Sequence, residues 1–155
     1  MHRCADTQLV AAAEVWGGAG GSDGFTVLIG NQSKRSCTID GFASLEFFGS
    51  KGQRIRAKVL QGRGSMLYDA AKPERVDLNQ DAVASFAVSF DGAFEPKSDS
   101  PSACVASTMS LELPTIHPNF YPNNVFIVPT DIDLCTSDWT VGVTPIEYGP
   151  RVKGT

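Results

Sequence analysis

The chain has 155 residues, of which 42% are hydrophobic and 19% charged, with a formal net charge of −4 and a pI near 5.1. That is the length of one domain and the composition of a globular rather than a disordered chain. The acidic balance argues against a nucleic-acid partner, whose affinity rests on phosphate neutralisation. No apolar run approaches the roughly 18 residues of a membrane-crossing helix.

In chain order, the first segment, 5–15, mixes small and apolar residues and reads as a short helix or a strand. The glycine-rich stretch from Trp16 to Gly24 favours a strand entering a hairpin. Phe25 to Ile29 alternates β-branched and aromatic residues and predicts a strand. A further strand is expected from Ile39 to Phe48, with Leu45 and Phe47 on one face. After a turn at Gly49–Gln53, Ile55, Ala57 and Val59 are expected inward, and Arg54, Arg56 and Lys58 outward. A short strand at Arg75–Leu78 and a polar turn at Asn79–Asp81 follow. Ala84, Phe86, Val88 and Phe90 alternate with Ser85, Ala87 and Ser89, the pattern of a half-buried strand. Met109, Leu111 and Leu113 alternate with Ser110 and Glu112. Pro114–Asn124 reads as a long turn, Val125–Val128 as a central strand, and Trp139, Val141 and Val143 as the inward face of a last one. No segment sustains a helical period. Eight or nine short strands predict an all-β fold, an immunoglobulin-like antiparallel β-sandwich over residues 1–155, with 1–3 and 149–155 as tails.

The four cysteines, Cys4, Cys37, Cys104 and Cys135, contain no C-x-x-C pair. A zinc site is therefore not expected, because zinc ribbons and fingers place their ligands through close pairs. A cysteine nucleophile needs a base, and His2 and His117 are the two histidines available. Disulfides fit better, since each cysteine lies just outside a predicted strand. Cys4–Cys37 would close the open end of one hairpin, and Cys104–Cys135 that of another. The crossed set, Cys4–Cys135 with Cys37–Cys104, remains open. Two disulfides imply an oxidising compartment. The opening MHRC lacks the apolar segment of a signal peptide, so an export leader is expected to have been removed ahead of it.

The stretch VLIGNQSKRSCTIDGFASLEFFGSKGQRI, 27–55, resembles the signature of domain-of-unknown-function family 4232. Its pattern is an apolar strand ending in Asn, a polar turn, Cys-Thr-Leu-x-Gly-Tyr-Pro, an apolar strand and a Gly turn. Asn31, Cys37, Thr38, Ile39, Gly41 and Phe42 fill those places, and the other three cysteines also fall where the family has them. Ala43, Asn79–Asp81 and Leu113–Thr115 depart from the family's turn residues. The resemblance implies an exported bacterial β-sandwich, often a lipoprotein, with no catalytic residues to carry over.

Several groups are candidates for function. His117, Phe120 and Tyr121 lie between prolines on one loop, where rings can stack on sugars or anchor a protein; the competing reading is closure of one end of the fold. Arg54, Arg56, Lys58 and Arg63 form a basic stripe suited to acidic polysaccharide or lipid headgroups, or simply to protecting an edge strand. Asp131, Asp133 and Asp138 offer carboxylates for calcium but lack the EF-hand pattern. Asn31-Gln-Ser33 fits a glycosylation sequon. No G-x-S-x-G surrounds a serine. The expectation is a non-enzymatic secreted or cell-envelope module that binds a protein or glycan, without metal or cofactor. A spacer domain of a larger surface lipoprotein, and a hydrolase built on His117, are the alternatives.

Overall fold

The computed structural model describes residues 2–17, 22–62, 72–91, 104–116, 125–134 and 140–150. Within them the chain forms strands, with one 3-10 turn at Asp6–Gln8 and no α-helix. The strands are β1 (Leu9–Gly17), β2 (Ser22–Asn31), β3 (Cys37–Ile39), β4 (Ser44–Phe48), β5 (Arg54–Ile55), β6 (Lys58–Gln61), β7 (Val76–Leu78), β8 (Val83–Asp91), β9 (Val105–Glu112), β10 (Val125–Asp133), β11 (Thr140–Val143) and β12 (Glu147–Tyr148). One sheet runs β1-β2-β8-β11-β6, with β12 also paired to β8; a second runs β10-β9-β4-β5; and β3 pairs with β7. The first segment is thus a strand, and β1 and β2 form the expected hairpin, in continuous register from Leu9↔Asn31 to Gly17↔Asp23.

The two larger sheets share one apolar core. Inward residues Phe25, Val27 and Ile29 of β2 sit beside Val88, Phe86 and Ala84 of β8. Phe47, Met109 and Leu111 approach from the second sheet. The junction is aromatic: Phe90 lies edge-on to Phe25, with centroids 5.8 Å apart, and edge-on to Phe47 at 6.2 Å. Such geometries place the positive edge of one ring against the negative face of the next.

Several expectations need correction. Among the described residues the strands number twelve rather than eight or nine, because the long runs break where the chain changes sheets. Ile39–Phe48 divides into β3 and β4 at Gly41, whose φ of 103° bends the backbone in a region that glycine adopts without strain. The 54–61 run divides into β5 and β6, which belong to different sheets. The pairing is not wholly antiparallel, since β6 runs parallel to β11 from Lys58↔Thr140 to Gln61↔Val143. β10 ends its sheet among the described residues instead of lying at its centre. β8 is buried on both faces, with Ser85, Ala87 and Ser89 as enclosed as the phenylalanines beside them. It is an interior strand, and small residues suit a crowded second face. His2, Arg3 and Gly149 are not tails. The His2 carbonyl accepts the Thr38 amide at 2.8 Å, and the Gly149 amide donates to Val83 at 2.7 Å.

Candidate functional site

The N-terminal segment is the hub from which one candidate surface is built. Cys4 and Cys37 form a disulfide, and both are wholly buried within the core. The crossed connectivity is therefore overturned. Among the described residues this is the one bridge with both partners present: no described cysteine is free, and Cys135 lies outside the described residues. The thiols meet because residues 2–4 run parallel to β3. The Cys4 amide donates to the Thr38 carbonyl at 2.8 Å, beside the bridge between Arg3 and Thr38. Closing a loop with a sequence separation of 33 stabilises by about 4 kcal/mol in the chain-entropy account.

On its other side the same segment holds the start of the 114–124 loop. The Ile116 amide donates to the Cys4 carbonyl at 3.0 Å, and the Asp6 amide to the Ile116 carbonyl at 3.3 Å. The Thr115 hydroxyl donates to the buried Asp6 carboxylate. Arg3 donates to the Pro114 carbonyl at 3.0 Å while pairing with Asp40 at 2.9 Å. Ile116 is then left 48% exposed at the point where the loop departs. The far end is fixed where Val125 pairs with Glu112 in the β9–β10 hairpin. His117, Phe120 and Tyr121 lie outside the described residues, as do Arg63, Asp138 and Cys135; Asp131 and Asp133 fall on β10.

Beside the disulfide lies a buried amide knot. Asn31, 2% exposed, donates through Nδ2 to the carbonyls of Arg35 at 2.9 Å and Leu78 at 3.0 Å. Its Oδ1 accepts from the Ser33 amide at 2.9 Å and the Ser33 hydroxyl at 2.8 Å. Gln8 completes the knot, donating to Ser33 Oγ at 3.0 Å and to the Arg35 carbonyl at 2.9 Å, and accepting from the Ala5 amide at 3.0 Å. These bonds replace water for backbone groups in the turn 32–36, which no ladder satisfies. Asn31 thus acts as the organiser of the turn before Cys37. The amide that a sequon would offer for modification is engaged in the fold. A strand-ending Asn two residues before Ser was the signal for this role, since Asx side chains bond the backbone two residues on.

The basic residues do not form a stripe on one strand. Arg54, Arg56 and Lys58 are exposed and alternate with Ile55, Ala57 and Val59 as expected. However, Arg54 lies on β5 at the edge of one sheet, Lys58 on β6 at the edge of the other, and Arg56 on the crossing between them. Arg54 and Arg56 line an open cleft of about 240 Å³ with Leu45, Glu46, Phe47, Ile55 and Ala57. Arg54 pairs there with Glu46 at 3.5 Å, both side chains being about half exposed or more. Such pairs contribute little to stability, so both guanidinium groups remain accessible to an anion. Among the described residues there is no cluster of His, Cys, Asp and Glu able to hold a metal, and no helix is long and apolar enough to cross a membrane.

Sheets sharing one core, with a buried disulfide beside a hydrogen-bonded asparagine knot, define a stapled all-β protein. The chain belongs to the family described as Domain of unknown function (DUF4232), whose model matches residues 4–146. No curated protein matches the chain, and no solved structure does.

Proposed function

We propose that this protein is a non-enzymatic, exported module of the cell envelope or secretome that binds a protein or glycan through the 114–124 loop. The observation that carries this reading is the anchoring of the loop's root. Pro114, Thr115 and Ile116 each bond to the segment holding the buried Cys4–Cys37 disulfide. A loop fixed at both ends, with Pro118 and Pro122 within it, loses less entropy when a partner orders it. His117, Phe120 and Tyr121 supply the rings for stacking or anchoring. The Arg54–Arg56 cleft is a secondary surface for acidic groups.

Export is supported by the buried disulfide, because such bonds persist in oxidising compartments. We assign a second bridge to Cys104 and Cys135, and an immunoglobulin-like layout to the two sheets around their common core. A binding rather than catalytic role is supported by the buried polar side chains. Asn31, Gln8 and Asp6 are engaged with turns and the loop root, and the Thr144 hydroxyl accepts the Ala87 amide at 2.8 Å.

The test compares Phe120→Ala with Tyr121→Ala against Arg54→Ala with Arg56→Ala on a glycan array and in pull-downs from envelope extracts. The aromatic double variant should lose binding while its melting temperature stays within about 3 °C of the parent, as for other surface substitutions. The arginine double variant should keep most binding. Retained binding in the aromatic variant, or its unfolding, would assign the rings to core packing and leave the spacer reading in place.

A further inference from the structure

The four edges of the two large sheets differ in their protection. An exposed edge carries unpaired backbone donors and acceptors, and proteins block such edges with charge, proline, bulges or brevity. β5 is two residues long and opens with Arg54. β6 is four residues long and opens with Lys58. β10 carries Pro129 and a break in register between Pro129 and Ile132. Among the described residues β1 ends the six-stranded order, and it has none of these devices. It is nine residues long, contains no proline, and keeps its register with β2 throughout. Val10, Ala12, Ala13 and Glu14 are exposed, and Glu14 is the one charge on the strand.

We propose that β1 is a strand-docking edge that receives an extended segment of a partner protein, carrying small or apolar residues and one cationic residue opposite Glu14. Main-chain hydrogen bonds supply affinity in this mode, and alternate side chains supply selectivity. Val10, Ala12 and Glu14 share one face of the strand by the two-residue period. An added strand would therefore set apolar side chains beside Val10 and Ala12, and a lysine or arginine beside Glu14. A second copy of this chain fits less well. It would bring a second Glu14 to the same edge and join two molecules of net charge −4.

The test uses the intact protein and a fluorescein-labelled seven-residue peptide that alternates valine and threonine around one lysine, titrated by anisotropy. Binding in the range of about 10–500 μM is expected, as for a short strand added to an edge. Methylating alternate backbone nitrogens of the peptide leaves its side chains but removes its donors, and should weaken binding at least about tenfold. Glu14→Ala should weaken the lysine peptide by about fourfold at low salt, the Coulomb effect of losing one pair near 5 Å in water. No binding, or equal binding of the methylated peptide, overturns the proposal. So does sedimentation as a dimer in which Ala12→Lys restores the monomer, since a second copy would then be the occupant.

Discussion

Replacing Asn31 by Ala and by Asp separates a hydrogen-bonded amide from a merely buried one. In Asn31→Ala, the Arg35 carbonyl keeps its donor from Gln8, and the Ser33 hydroxyl, still accepting from Gln8, turns its one proton from residue 31 to that carbonyl. The Ser33 amide and the Leu78 carbonyl lose a partner. Two weakened groups at about 1–1.5 kcal/mol each predict a loss of about 2–3 kcal/mol. Asn31→Asp keeps the shape and the oxygen facing Ser33, but sets a second oxygen against the carbonyls of Arg35 and Leu78. An unpaired charge in a 2% exposed position should cost about 3–5 kcal/mol at pH 7, more than the truncation. Burial would raise the folded-state pKa of this carboxyl above its unfolded value of about 4, so the folded state binds the extra proton. The aspartate variant should therefore recover relative to the parent as pH falls from 7 to 5, because the protonated carboxyl again donates. Urea unfolding followed by circular dichroism at both pH values measures this. A loss below about 0.5 kcal/mol in both variants, within the range of ordinary surface changes, would refute the knot. A penalty for the aspartate smaller than for the alanine, or growing as pH falls, would refute the donor assignment.

Two further outcomes follow from the fold. Phe47→Ala empties a 1% exposed site against Phe90 and should cost about 3–5 kcal/mol in urea unfolding; a loss under 1 kcal/mol would mean that the sheets do not meet there. Asp81 has φ of 66°, the left-handed region, in the turn closed by the Ala82 amide on the Asn79 carbonyl at 3.0 Å. Asp81→Val should lower stability by about 1–2 kcal/mol and Asp81→Gly should change it by less than about 0.5 kcal/mol; equal melting temperatures for the two variants would refute that backbone assignment.

What the sequence disclosed was local. Period-two alternation placed β2, β8 and β9, and the inward and outward residues from Arg54 to Val59. The Cys4–Cys37 pairing followed from a correct reading of the first hairpin. Pairings between distant segments were hidden, because no local pattern records them. The parallel contact of β6 with β11 joins Lys58 to Thr140, far apart in the chain. The crossing at Arg56–Ala57 carries the same alternation as an unbroken strand, so the basic stripe looked continuous when it spans two sheet edges. Asn31 was legible as a strand end and a sequon. Its structural role depends on Gln8 and Leu78, which only the fold brings to it.

The most direct test of a stapled, exported module is non-reducing peptide mapping by mass spectrometry, with thiol titration of the denatured, unreduced protein. The account predicts a linked Cys4–Cys37 peptide, a linked Cys104–Cys135 peptide and no titratable thiol. A Cys4–Cys135 linkage, or four free thiols in protein that is folded and melts cooperatively, would contradict it.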